Sequence, residues 1–420
     1  MNVLRGIEHI QNKFVANTEL QNWRALAKER FEKTGLPTRK NESWRYTNLL
    51  AISETFWQPT ESHAFFDVTK LESGYDHIVF VNGVFKADFS SEFANDVQIK
   101  KLSELSAEEL LFWKMQSSGT EGMPLVDLNT AWLCEGISIE VKHESDVKKP
   151  ICIHHFFSGE GAKKISAQPR IFVKIKNRSR VTLLFKTYGE ATCLQNLVTT
   201  ILQEANSSLD FVELINLGTE SFGFSSTEIL LNSGAQLHST SVSLNAKLSR
   251  QTLQVRHLQP NSASSVFGAY ICEKNQQSDH YTNIEHLVGH CQSRQLYKGI
   301  LTDQSKAVFN GRVFIDRGAN KASSEQLNKN LLLSSQAEID AKPQLEILAD
   351  DVKATHGATV GQLNEEEIFY LCSRAIPREK AIQFLSEGFV LEVLENIQNK
   401  KIHDFIAKSV QEKLKNMEPA

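Results

Sequence analysis

The sequence predicts a mainly β protein. A strand-rich core over residues 137–363 lies between largely helical regions at 1–136 and 364–420. Three observations predict this. Small residues recur at Ser179, Ser207, Ala235 and Ala263, each 28 positions after the last, with apolar Val181, Leu209 and Leu237 two positions later. From Val308 to Leu363 short strand-like runs (Val313-Phe314-Ile315, Leu331-Leu332-Leu333, Leu345-Glu346-Ile347-Leu348) alternate with small-residue turns. At both ends of the chain the apolar spacing switches to three and four. A fixed period of short strands suits a stacked solenoid in which each coil covers the next. A large β-sandwich also spaces strands evenly, and the spacing favours the solenoid over it.

Within the first 35 residues, Leu4, Ile7, Ile10, Phe14, Leu20, Trp23, Leu26 and Ala27 share a helix face, and Gly35 and Pro37 end it. Gly35 to Thr47 then reads as a turn followed by an aromatic anchor, Trp44 and Tyr46, expected to pack the helical layer. Ile78 to Phe85 predicts a short β-hairpin turning at Asn82-Gly83. Residues 101–116 return to helix with Leu102, Leu105, Leu110, Leu111 and Trp113, and Pro124 to Gly136 lead into the core. In the core, turn residues cluster at Asn206-Ser207-Ser208 and Asn232-Ser233-Gly234, while Ser265 interrupts the apolar series before Val266 and Phe267. After the core, Asn364-Glu365-Glu366-Glu367 opens a helix with acids in its first turn, which suits the helix dipole. Pro377 opens a second helix, with Ala381, Ile382, Phe384 and Leu385 on one face. Gly388 punctuates, Phe389 to Ile397 form a third segment, and Ile402, Phe405, Ile406, Val410 and Leu414 carry a fourth to a charged end.

Composition narrows the function. With 41% hydrophobic and 23% charged residues, the chain reads as a soluble globular protein. A formal net charge of −4 gives no support for nucleic-acid binding. No run approaches the ~18 apolar residues of a membrane helix, and the first residues lack a secretory apolar stretch. A cytoplasmic, membrane-free protein is expected. The six cysteines, Cys134, Cys152, Cys193, Cys272, Cys291 and Cys372, form no C-x-x-C pair. That is neither a zinc-finger pattern nor a disulfide framework, and buried reduced thiols are expected. A chain that held a cluster permanently would offer several closely spaced thiolates.

Most chemical motifs are missing. No G-x-x-x-x-G-K-[ST] loop occurs, and Gly159-Glu160-Gly161-Ala162-Lys163-Lys164 has the wrong spacing for phosphates. There is no G-x-S-x-G elbow and no H-E-x-x-H. His286 and His290 lie four apart, but on a strand that separates them by about 13 Å, too far for one ion. Neighbouring His154 and His155 point to opposite faces of a strand. His356, between Thr355 and Gly357-Ala358, has small neighbours that allow another backbone to approach, and imidazole is a good ligand for iron.

Taken together, Phe309-Asn310-Gly311, Gln326-Leu327-Asn328, Leu331 to Ser334, Pro343 to Ile347 and Asp351 to Gly361 resemble the SufB/SufD family of scaffold proteins for SUF iron–sulfur cluster assembly. Gly357 after His356 matches the SufD-like form; SufB-like chains have glutamate there. Gly35-Leu36-Pro37-Thr38 with Glu42, Trp44, Tyr46 and Thr47 resembles the start of SufD-like chains. Near the end, Tyr370-Leu371-Cys372-Ser373-Arg374-Ala375-Ile376 resembles the family's helical tail, with Ala375 in place of a glycine.

The resemblance implies a right-handed parallel β-helix core and a non-catalytic scaffold subunit. It implies pairing with a SufB-like protein through β-helix edges near residues 300–360, and docking of a SufC-like ATPase on the C-terminal helices, with Phe369, Tyr370, Ser373, Arg374 and Ile376 as candidates. His356 would lie at the subunit contact, meeting a transient iron or iron–sulfur cluster shared with the partner, with no cofactor bound stably by this chain. Many relatives carry a cysteine two positions before this histidine, where this chain has Ala354; most sulfur ligands would therefore come from the partner. The alternatives are a homodimeric β-helix scaffold that needs no SufB-like protein and, more remotely, a carbohydrate-active β-helix enzyme using Asp303, Asp316, Asp340, Asp350 or Asp351.

Overall fold

The computed structural model describes residues 5–6, 18–58, 66–93, 95–120, 122–133, 136–159 and 163–417. Leu4, Ile7, Ile10 and Phe14 of the expected first helix, Cys134, and Glu160 to Ala162 of the rejected glycine-rich loop lie outside the described residues.

The core is a parallel β-solenoid of about seven turns built from two facing sheets. The first sheet begins at the hairpin Asp76–Val81 and Val84–Phe85. It continues through Ile151–Phe157, Arg180–Gly189, Ser208–Asn216, Gln236–Asn245, Ala263–Cys272, Gln292–Leu301 and Ser323–Leu332 to Lys353–Gly361. The second runs from Val97–Lys101 through Gly136–Val141, Arg170–Ile175, Cys193–Gln203, Phe222–Leu231, Leu248–His257, Gln277–His286 and Lys306–Ile315 to Glu338–Ile347. A short strand, Ile165–Ala167, also pairs with Cys193–Gln203.

Register explains the repeat. Leu209 pairs with Val181 on one side and Leu237 on the other, so the apolar residues spaced by 28 stack on one another inside the barrel. At the next coil Gln236 pairs with Ala263, a step of 27. The shortened step puts Ser264 and Val266 in the inward series and turns Ser265 outward, which is why the pattern seems to break there. Inward residues of both sheets, including Ile78, Ile153, Leu183, Phe211, Val255 and Phe309, form one continuous core.

The outer faces are covered as well, so strands such as Cys193–Gln203 and Phe222–Leu231 are buried along their whole length. This is expected of parallel sheets with helices on them. Helices α1 (Thr18–Thr34), α2 (Leu50–Glu54), α3 (Ala107–Gln116) and α4 (Pro124–Ala131) cover the second sheet. Ser106 and Glu109 cap α3 reciprocally. Trp44 anchors as expected but docks on the solenoid as well as the helices. The Arg250 guanidinium lies 3.9 Å from its ring centroid, and Phe224 packs beside it. Arg250 forms a buried ion pair with Asp279, which also accepts a hydrogen bond from Thr47 at 2.7 Å. Tyr46, the other half of the expected anchor, stays exposed.

At the far end, α5 (Glu365–Ser373), α6 (Arg378–Leu391), a 3₁₀ segment (Glu392–Asn396) and α7 (Lys400–Asn416) fold back. Ile402, Ile406, Val410 and Leu414 of α7 lie against the outer face of the first sheet. No helix among the described residues is long and apolar enough to cross a membrane.

Candidate functional site

The two ends of the solenoid differ. At the start, the hairpin and Val97–Lys101 close the sheets with antiparallel partners. Those outermost starting strands are short, two and five residues; at the finish Lys353–Gly361 and Glu338–Ile347, of nine and ten residues, are the last strands of their sheets and leave long edges unpaired among the described residues. Unpaired edges offer backbone donors and acceptors to another chain.

His356 sits on the first of these edges, in register with Gln326 one coil below. Gln326 faces the interior, against Gly311 and Phe309 of the opposite sheet. His356 therefore shares the inward face with half-buried Ala354, yet is exposed because no coil covers it. Both polar atoms of the fully buried Gln326 amide lack hydrogen-bond partners. Across the mouth, strand alternation puts Ile339, Ala341, Pro343 and Leu345 inward, and Ile339 and Leu345 are only half-buried against the core. The exposed Ile347, Leu348 and Val360 extend this apolar rim. The arrangement is one imidazole at an unfinished, largely apolar coil end with small neighbours. It can lend a nitrogen ligand to something held jointly with a second chain.

The edge strand leads into α5, whose N-cap is the Asn364 side chain accepting from Glu366 N at 2.9 Å. Ile368 alone turns fully inward on this helix; Phe369 and Tyr370 are 74% and 58% exposed, and Phe384 of α6 is also exposed. Ser373 and Arg374 are exposed and Ile376 is half-buried. The Arg374 guanidinium lies 5.3 Å from the Tyr370 ring centroid. Below the α5–α6 pair is a groove of about 420 Å³ lined by Leu333, Leu363, Ile368, Ile382 and Leu414 among others.

Other histidines take different places. His286 stacks on His257 of the neighbouring coil at 4.5 Å, whereas His290 sits in the following turn. His155 stacks on Phe80 inside the core, and His154 faces the other way. Cys152, Cys193, Cys272 and Cys291 are buried free thiols and Cys372 is half-buried. One cluster is not readable from spacing: His77, Cys152 and His154 converge on the outer face of the first sheet. Their only sequence sign is the alternation in Cys152-Ile153-His154; finding His77 beside them requires the pairing of two distant strands.

Comparison with known proteins now bears on these features. Residues 156–389 match the family model described as SUF system FeS cluster assembly, SufBD core domain, and residues 8–153 match the SufBD protein N-terminal region. The chain is 29% identical over 413 residues to an iron–sulfur cluster assembly SufBD family protein of Synechocystis, covering 92% of this chain and 90% of that one. It is 29% identical over 399 residues to the iron–sulfur cluster assembly protein SufD of Escherichia coli, covering 91% and 90%. A chloroplastic protein of Arabidopsis thaliana is 28% identical over 439 residues, covering 96% and 88%.

Proposed function

The chain belongs to the SufBD family of SUF-system iron–sulfur cluster assembly, and from that premise we propose that it is a SufD-like, non-catalytic scaffold subunit. Its open coil end pairs with a SufB-like protein, edge strand to edge strand. His356 contributes a nitrogen ligand to iron or a nascent cluster at that contact, and the partner supplies most of the sulfur. The ion or cluster is cargo and leaves. The exposed face of α5 docks a SufC-like ATPase, whose nucleotide-driven motion is passed through α5 and α6 to the edge strand directly before them. The cytoplasm is the expected setting.

The observation that supports this reading is the family match over both halves of the chain, together with an inward-facing histidine on an uncovered edge. Two copies of this chain could also use the same edge on each other.

Surface variants test the assignment because they leave the core alone. Leu348→Asp with Val360→Asp puts charges on the exposed rim. It is expected to abolish co-purification with a SufB-like protein while the isolated chain stays folded. Phe369→Ala with Tyr370→Ala is expected to weaken SufC-like ATPase binding by roughly 30-fold or more, the loss that removal of an aromatic anchor costs. Unchanged binding in both double variants would sink the assignment of these surfaces. A wild-type dimer that the rim variant dissociates, with no SufB-like protein bound, would favour the homodimer.

A further inference from the structure

Three side chains from two strands distant in sequence meet on the outer face of the first sheet, where the Phe66 ring packs against His154. Asp76–Val81 and Ile151–Phe157 pair in parallel with His77 opposite Cys152. The two-residue period of a strand then brings His154 to the same face. One ligand atom from each of the three lies within 4.8 Å of the other two. His77 Nδ1 and His154 Nε2 face each other at 3.0 Å. His77 is 8% exposed, and Cys152 and His154 are fully buried.

The far side of each imidazole is also held. His77 Nε2 lies 3.0 Å from the Glu72 carbonyl oxygen, and His154 Nδ1 lies 3.0 Å from the Tyr188 hydroxyl. A carbonyl has no hydrogen to give, so His77 carries its hydrogen on Nε2 and turns a bare Nδ1 towards the cluster. The Tyr188 oxygen can accept from His154 Nδ1, which frees Nε2 in the same way. Metal-bound imidazoles are oriented by such contacts. Tyr75 packs beside His77 in the same apolar cluster as Cys152, and its buried hydroxyl has no hydrogen-bond partner.

We propose that His77 Nδ1, Cys152 Sγ and His154 Nε2 form a buried site for one zinc-class divalent transition-metal ion. Two imidazoles and a thiolate suit an ion of tetrahedral preference. The contacts on the far side of each ring leave Nδ1 of His77 and Nε2 of His154, which face each other, to supply lone pairs. Burial raises the Cys152 thiol pKa, and the charge of the ion has to overcome this. On loading, the S–H bond breaks, a sulfur–metal bond forms and one proton leaves to solvent, while His154 moves its hydrogen from Nε2 to Nδ1. Nothing is oxidised or reduced. The ion ties the first strand of the solenoid to the next coil, where the two family-matched regions meet at residues 153–156. This site does not depend on the scaffold reading, and no step of that reading uses it.

The test uses the full chain, reduced, stripped with a chelator and titrated anaerobically with Co²⁺. A parallel sample is refolded from urea with Co²⁺ present, so that burial cannot hide the site. The expected result is one tightly bound equivalent with tetrahedral d–d bands and a sulfur-to-cobalt charge-transfer band. Cys152→Ser should remove the charge-transfer band, and His77→Gln should weaken binding by ~10-fold or more. Cys372→Ser should change neither. Zn²⁺ should raise the Tm of the wild type and not of Cys152→Ser. A refolded wild type without the charge-transfer band, or a band that survives Cys152→Ser, overturns the proposal and leaves a hydrogen-bonded histidine pair.

Discussion

Asp210 shows how a single buried carboxyl ties an outer helix to the solenoid. It accepts the backbone N–H groups of Gln398 and Asn399 at 3.2 Å each, just ahead of α7. Burial outweighs these bonds and pushes its pKa up to about 6. Between about pH 4 and 6 the native chain therefore holds a proton that the unfolded chain has released, so stability falls as pH rises through that window. Asp210→Asn removes the dependence. Relative to wild type, the variant should gain on the order of 2–3 kcal/mol between pH 4 and 6.5, read by urea unfolding. A constant difference would show that the folded and unfolded chains hold the Asp210 proton equally tightly. At this scale the sequence was unevenly legible. His356 could be singled out by its small neighbours and by the surrounding motif. His77 could not, because only strand register puts it beside Cys152.

The coils themselves set limits that single residues do not show. Tyr270 and Tyr297 stand in the interior on adjacent strands, with His280 between them from the other sheet at 4.8 and 5.4 Å. Their rings lie over glycine: a Cβ at Gly299 would come within 2.0 Å of the Tyr270 ring, and one at Gly268 within 2.1 Å of Tyr297. Gly299→Ala must displace a packed aromatic ring and should cost roughly 1–3 kcal/mol, read as a lower urea midpoint with an unchanged slope. An unchanged midpoint would mean that the interior yields freely. The spacing of 28 revealed the coils because stacked positions repeat in register. It did not reveal the shortened coil at Ala263, since one deleted residue swaps inward for outward without changing composition. Nor did the anchor at Trp44 reveal its target, because Arg250 lies more than 200 residues away and meets it only once the second sheet is stacked.

For the molecule as a whole, the asymmetry of the solenoid carries the functional account. One end stops with short antiparallel strands of two and five residues; the other stops with two long edges, an apolar rim and His356. The helical ends and repetitive core were legible because helix and strand periods differ so plainly. Which end carried the long edges was not, since it depends on pairing. The most direct measurement is co-purification of the chain with a SufB-like protein and a SufC-like ATPase, comparing wild type with His356→Ala and reading cluster content by absorbance. The account predicts that both form the three-component complex and that the variant loses most of its cluster. No complex with wild type, or an undiminished cluster in the variant, would contradict it.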